Sequence, residues 1–299
     1  ANLVGPEQMP YDNITDKHFD SGDYPELLRM AVTAIDLEAV RERQKRGEPD
    51  GRLIGLGLAV FSEQTAHGTT ADGKRRALYE QAFARLTPDG RLDIRVGIQS
   101  IGQGLETTLA QVAVERIGID ISDVHVRLGD TEFSPYSTGA WGSRGMVWAG
   151  GAVARACEEI ARRVASIGAA LLQTDIGSVE VRDGGVYGPN GSLSFRDIAK
   201  SYYLTPADLP GDTDSRGLET TEGYAPDRLT GIHTGSVHAT TVAVDPETGG
   251  VEILDFVIAE DAGTLINPMI VDGQLYGGAA QGIGTALFEE MQFDSQGQP

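Results

Sequence analysis

Glycines stand where this chain would otherwise build uninterrupted helix, and their placement limits what it can fold into. Five of the 39 glycines fall between positions 273 and 284, inside a stretch that otherwise reads as a helix from about 268 to 290. Each costs about 1 kcal/mol relative to alanine in a helix interior, so a close approach by another group must offset the loss. Gly273, Gly277 and Gly284 fall near one side of this helix, and Gln274, Gly278 and Gln281 on the adjacent side. Either a second helix packs there, or the face is a wall under a flat, polar ligand that needs amides such as Gln281. Asp261 and Asn267 flank the helix start, placed to cap it or to contact a ligand.

Two further glycine-bearing segments precede helices. Gly102-Gln103-Gly104 lies between a strand and a helix expected over 106–117. Bare backbone at the positive end of a helix dipole leaves amide N–H groups free for a ligand; the same residues also make a tight turn. No Gly-Lys-Ser/Thr follows, so this is not a Walker loop, and Thr107 and its neighbours replace the third glycine of a dinucleotide fingerprint. The other segment ends a long polar stretch, 129–144, and a loop of that length in a compact domain is usually functional. Its last residues, Gly142-Ser143-Arg144, directly precede a helix expected over 146–172. Gly142 or Ser143 can cap that helix while exposed amides face an anion, and Arg144 can instead pair with an acidic neighbour. Trp141 and Trp148 are expected to pack in the core.

The surrounding pattern mixes strands and helices. One helix is expected from the cap at Asp23, with Leu27, Met30, Ala31, Ala34 and Leu37 at helical spacing, to a stop at Gly47. Strands are expected at 53–61, 77–86, 91–98 and 124–128, a small hairpin at 179–187, and a short helix after the Ser194 cap. Residues 204–231 read as a long loop, and 233–244 and 251–258 as strands paired across the 245–250 turn. The fold class that follows is α+β, with mixed, largely antiparallel sheets and packed helices.

Charge removes several functions. With 44 acidic against 24 basic side chains, the formal net charge is −20, which disfavours a nucleic-acid face and anionic membranes. No apolar run reaches the roughly 18 residues of a membrane span. The single cysteine, Cys157, excludes an intrachain disulfide and any all-cysteine metal site, and is expected as a buried small residue. The five histidines are scattered, His67 among them, and His233 and His238 point to opposite faces of a regular strand.

In this order and spacing, the segments resemble the molybdenum-binding subunit of the xanthine dehydrogenase family, which includes aldehyde oxidoreductases, aerobic carbon monoxide dehydrogenases and N-heterocycle hydroxylases. The resemblance is carried by the opening Asn2-Leu-Val-Gly-Pro-Glu-Gln-Met-Pro10, Ser21-Gly-Asp-Tyr24 and Ile101-Gly-Gln-Gly-Leu-Glu-Thr-Thr-Leu-Ala-Gln111. Gly129-Asp-Thr131 with Gly142-Ser-Arg144, and 261–284, complete it. It implies a molybdopterin, in cytosine dinucleotide form, with molybdenum. Gly102, Gln103 and Gly104 would bring the glutamine to the metal's oxo and dithiolene side. Gly142, Ser143 and Arg144 would line the pterin pocket, and Asp261, Asn267, Gln274 and Gln281 would hold the pterin and its nucleotide tail.

No direct metal ligand is implied, and the family's catalytic glutamate belongs to a Gly-Val-Gly-Glu-type loop that this sequence does not contain. The resemblance further implies oxidative hydroxylation of an aldehyde, N-heterocycle or similar small molecule with water as oxygen source, in a cytoplasmic complex. An iron–sulfur subunit with [2Fe–2S] clusters, an FAD subunit and another part of the molybdenum subunit would be its partners. The chain is then expected to be a central-to-C-terminal portion: a connector and helix at 1–51, a cofactor-binding domain at 52–215, and part of a second at 216–299. The alternative is a non-catalytic cofactor-binding or assembly module.

Overall fold

Side-chain alternation along the strands decides which faces meet. The computed structural model describes residues 2–15, 17–66, 80–211, 213, 215–226 and 231–299. His67, the first three residues of the strand expected at 77–86, and parts of the loop expected at 204–231 lie outside them. A short hairpin, β1 (Tyr11–Asp12) with β2 (His18–Phe19), precedes helices α1 (Tyr24–Ala34) and α2 (Leu37–Arg46). The single helix expected here is therefore two. Asp36 adopts left-handed backbone, φ +50°, and its carboxylate accepts a 3.1 Å hydrogen bond from the Ala39 amide. Aspartate tolerates that conformation because its side chain bonds locally, so it stops one helix and caps the next.

Strand β3 (Leu53–Thr65) pairs antiparallel with β11 (Ile232–Val244), which pairs with β12 (Val251–Asp261). Leu27, Ala31 and Ile35 pack α1 and its end against Val237, Ala239 and Ala259 of this three-stranded sheet. His233, on the same side as Val237, is buried and stacks on Phe19, ring centroids 4.5 Å apart. His238 faces the other way, between Phe61 and Phe256.

The second sheet has the order β10 (Glu219–Tyr224), β4 (Glu80–Leu86), β5 (Leu92–Val96), β6 (Val124–Leu128). Thr87 and Gly90 close the expected turn between β4 and β5. β6 runs parallel to β5, with α3 (Leu105–Ile117) as the connection, and the other pairings are antiparallel. The main core lies between this sheet and α3, α4 (Gly151–Leu171) and α5 (Phe195–Leu204), with Ile94, Leu109, Ile160 and Ile198 at its centre. Cys157 is buried in it, and burial pushes its thiol pKa up to about 12, so it is an inert packing residue.

β10 corrects the expected loop. Its Glu-Thr-Thr-Glu-Gly-Tyr sequence carries no apolar alternation, and pairing with the edge of β4 makes it a strand. The small hairpin gains a third strand: β7 (Glu180–Arg182), β8 (Gly185–Gly188) and β9 (Gly191–Ser194). The last helix, α6 (Pro268–Leu287), ends slightly before the expected 290. The architecture is α+β with largely antiparallel sheets and packed helices, as expected, although sheet membership interleaves along the chain. No helix among the described residues is long and apolar enough to cross a membrane.

Candidate functional site

The start of α3 is the point on which the three glycine segments converge. Gly104 precedes the helix with φ +72°, and no side chain caps it. The first amides of any helix lack intrahelical acceptors, so those of α3 stand at the positive end of the dipole without a side-chain acceptor. A methyl group at Gly104 would come within 2.7 Å of Ile270 Cδ1 in the first turn of α6, a side-chain end that can shift, so it is the φ of +72° that favours glycine here. Just before it, Gln103 Oε1 accepts from the Ile101 amide at 2.7 Å and from Ser100 Oγ at 3.3 Å. The backbone N–H needs an acceptor, which assigns this atom as the amide oxygen and leaves Nε2 as a donor.

The second segment abuts the first. Gly145 opens a six-residue π-helical turn, Gly145–Gly150, that leads into α4; its Cα hydrogen faces Leu105, where an added methyl would meet Leu105 Cδ1 at 3.5 Å. The π-helical turn carries no side-chain cap either. π-Helical turns recur at functional sites. Gly142 and Ser143, both exposed, hold φ +58° and +52°. For a serine that conformation costs about 1–2 kcal/mol, offset by the fixed surroundings. The Gly142 carbonyl accepts from the Ala66 amide at 2.8 Å, and Trp148 Nε1 donates to the Ala66 carbonyl at 3.3 Å.

Arg144 is where the structure decides between two readings. Its side chain is turned inward, 2% exposed, and forms an ion pair with Glu80, which is fully buried. The guanidinium also donates to Thr138 Oγ1 at 2.8 Å and lies 5.1 Å from the Trp148 ring centre and 5.4 Å from that of Trp141. Ser137 Oγ donates to Glu80 Oε2 at 2.8 Å and accepts from the Gly139 amide at 3.0 Å. Burial raises the Glu80 carboxyl above the usual carboxylate range, with Ser137 and Arg144 pulling the other way. Trp148 is buried as expected, but Trp141 is 39% exposed. Trp141 covers the guanidinium from outside, with its Nε1 donating to Thr138, and so belongs to the loop rather than the core.

The 129–144 loop crosses the end of β5 because Gly97 leaves room. A side chain at Gly97 would collide with the Pro135 carbonyl and Ser137. Gln99 Oε1 accepts from the Ala140 amide at 3.2 Å. Glu80 was not singled out in the sequence, yet its signal is there. The inward positions of β4 read Glu80, Ala82, Ala84, Leu86, all fully buried, and a carboxylate on that face demands a buried partner.

The third segment joins by its beginning only. Asn267 caps α6, accepting from the Ile270 amide at 3.2 Å, and its Nδ2 donates to Gln111 Oε1 of α3 at 2.9 Å. Asp261 is exposed, and its Oδ1 accepts from the Gly263 amide at 3.0 Å. Gln274 and Gln281 are exposed further along α6, which buries none of its residues, and apart from the backbone of α6 itself and the adjacent residues nothing described lies within 4 Å of a methyl placed at Gly273, Gly277, Gly278 or Gly282. A broad groove of about 1200 Å³ lies along the other half of α3, beside 264–266. Its lining sets Glu115, Asp120, Asp123 and Asp183 against Arg116, which makes it a poor place for an anion, so the α3 start is the candidate. Among the described residues no group of three or more His, Cys, Asp or Glu side chains could hold a metal ion.

Two adjoining helix starts without side-chain caps can therefore present neutral backbone donors to an anionic group. Residues 30–299 match the model of the molybdopterin cofactor-binding domain. The chain is 32% identical to subunit gamma of the 6-hydroxypseudooxynicotine dehydrogenase complex of Paenarthrobacter nicotinovorans, over 100% of this chain and 37% of the relative. It is 33% identical to the carbon monoxide dehydrogenase large chain of Hydrogenophaga pseudoflava, over 99% and 37% respectively. The crystal structure of quinoline 2-oxidoreductase from Pseudomonas putida 86 superposes with a TM-score of 0.90 at 34% identity, over 99% of this chain and 38% of that one. The chain thus spans well under half the length of these relatives.

Proposed function

The chain belongs to the molybdopterin cofactor-binding domain family, and on that premise we propose that it forms walls of a molybdopterin site in a molybdenum hydroxylase. The enzyme would act on an aldehyde, an N-heterocycle or a similar small molecule, with water as oxygen source. The observation that carries this reading is the pair of uncapped, glycine-led helix starts that meet at Leu105 and Gly145. They offer backbone N–H groups and the Gln103 Nε2 donor to one region, as a buried anionic cofactor requires.

When bound, the cofactor supplies the two-electron redox chemistry. The protein's part is to hold and orient it. Gln103 directs a neutral donor without adding charge. Gly102, Gly104, Gly142 and Ser143 let the backbone approach closely, while Arg144 acts from behind the loop. Asn267 ties the start of α6 to Gln111; Gln274 and Gln281, exposed further along α6, and Asp261, exposed at the end of β12, would hold the pterin and its nucleotide tail. We assign no proton-transfer step to a residue of this chain. The cytosine dinucleotide form, and [2Fe–2S] and FAD on partner chains of a cytoplasmic complex, complete the proposal.

The test is metal and pterin analysis of the complex purified from its source. Molybdenum and pterin at about one per chain, estimated as for a single tight site, support the reading. Their absence overturns it, and both present without oxidation of any aldehyde or N-heterocycle leaves a cofactor-carrying module instead.

A further inference from the structure

Glu80 and Arg144 form a charge pair that the cofactor reading does not use. Both are buried, and each keeps one polar atom, Glu80 Oε1 and Arg144 Nε, without a hydrogen-bond partner among the described residues. Such a pair is poor value for stability alone, since apolar residues of similar volume often do as well or better. Its position suggests another use. Arg144 is the residue at which the strained Gly142-Ser143 backbone turns into the π-helical start. Glu80 reaches both ends of the same loop segment: Arg144 directly, and the Gly139 amide through Ser137 Oγ. Thr138, held by Arg144 and Trp141, fills the space between them.

We propose that Glu80 is a positioning residue: through Arg144 and Ser137 it holds the Gly142-Ser143 backbone in the left-handed conformation that presents its amides to the cofactor. This rests on the function proposed above. The contact is indirect, because Glu80 lies on the core face of β4 and is fully buried. A strained backbone persists only where its surroundings over-determine it, and the carboxylate supplies that constraint from behind.

Stability and cofactor retention separate the two roles. The full large subunit, expressed in its complex, is compared as wild type, Glu80→Gln and the double variant Glu80→Leu with Arg144→Met. Thermal midpoint is read alongside pterin retained per subunit, measured by fluorescence after oxidation and release. Glu80→Gln leaves a buried guanidinium charge unpaired, so both readouts fall, with pterin retention down about tenfold, the equivalent of one charge-assisted hydrogen bond. The double variant removes both charges and recovers the midpoint, yet pterin retention stays low. Pterin returning together with the midpoint overturns the proposal and leaves Glu80 a purely structural residue.

Should the double variant not fold, Arg144→Lys decides. It keeps the charge beside Glu80 but loses the planar fork that also reaches Thr138. Faster pterin release at an unchanged midpoint supports positioning, and an unchanged release rate overturns it. A wild-type complex without pterin overturns the cofactor reading itself, whereas wild type with pterin and unaffected variants overturns only the role of Glu80.

Discussion

The amide groups that open α1, α2, α5 and α6 are each met by a side chain, whereas those that open α3 and the π-helical turn are not. Asp23, Asp36, Ser194 and Asn267 accept from the amides of Glu26, Ala39, Asp197 and Ile270. In their place α3 has Gly104 and the π-helical turn has Arg144, and neither offers a side-chain acceptor. An uncapped start forgoes about 1 kcal/mol. The starts of α3 and of the π-helical turn touch each other, and both follow residues held at positive φ. The capped ends serve the fold, and the proposed function gives the two uncapped starts at Leu105 and Gly145 to a ligand.

The largest test of that contrast is Gly104→Val. A branched side chain at φ +72° against Ile270 is expected to cost about 3 kcal/mol and to abolish pterin binding, read by thermal denaturation and pterin content. Retained pterin would mean that the α3 amides are not used. Gln103→Glu is next and cleaner. It turns a donor into a carboxylate at a half-exposed site, so the thermal midpoint holds while pterin content drops about tenfold. A drop in stability of the same rank would instead make Gln103 a turn residue.

Ser194→Ala tests the other kind of start. It removes the 3.1 Å cap on the Asp197 amide and is expected to cost about 1 kcal/mol with pterin content unchanged. The smallest effect separates a partly exposed ion-pair cluster from the buried pair at Glu80. Hydrogen bonds from Arg162, and then Arg163, lower the Glu159 carboxyl to about 2. A depressed carboxyl contributes stability that is present above the ordinary 4.5 and lost as pH falls through about 2. After solvent screening this is about 1 kcal/mol. Glu159→Gln should flatten that acid limb in pH-dependent melting, and pterin content at neutral pH should stay as in the wild type.

Much of this was legible in the residues. Gly118 stops α3, Ser194 caps α5, and the turn at Gly90 joins β4 to β5, each by local chemistry that needs no partner. The break at Asp36 was not read, because a helical pattern runs on through Leu37 and only a left-handed aspartate interrupts it. β10 was hidden for a different reason: its strand character comes from the edge of β4, whose paired residues lie 134 to 144 positions away in the chain, and not from its own composition. At the site, Gln103 and the Gly142-Ser143 turn were visible as bare backbone before a helix. The partner of Arg144 was not, although an acidic residue heading the buried alternation of β4 marked where to look.

By itself, the sequence determined the local events: where helices stop, which turns close, where the backbone lies bare, and the family to which these segments belong. Those follow from short-range sterics and hydrogen bonding within a few residues. Only the tertiary structure decided that Gly104, Gly145 and Ile270 meet around one helix start, and that Arg144 faces inward to Glu80. Burial, not sequence spacing, sets the worth of a charge, and a guanidinium that could have met solvent or an anion became the fixed back of the loop because a carboxylate was already buried there.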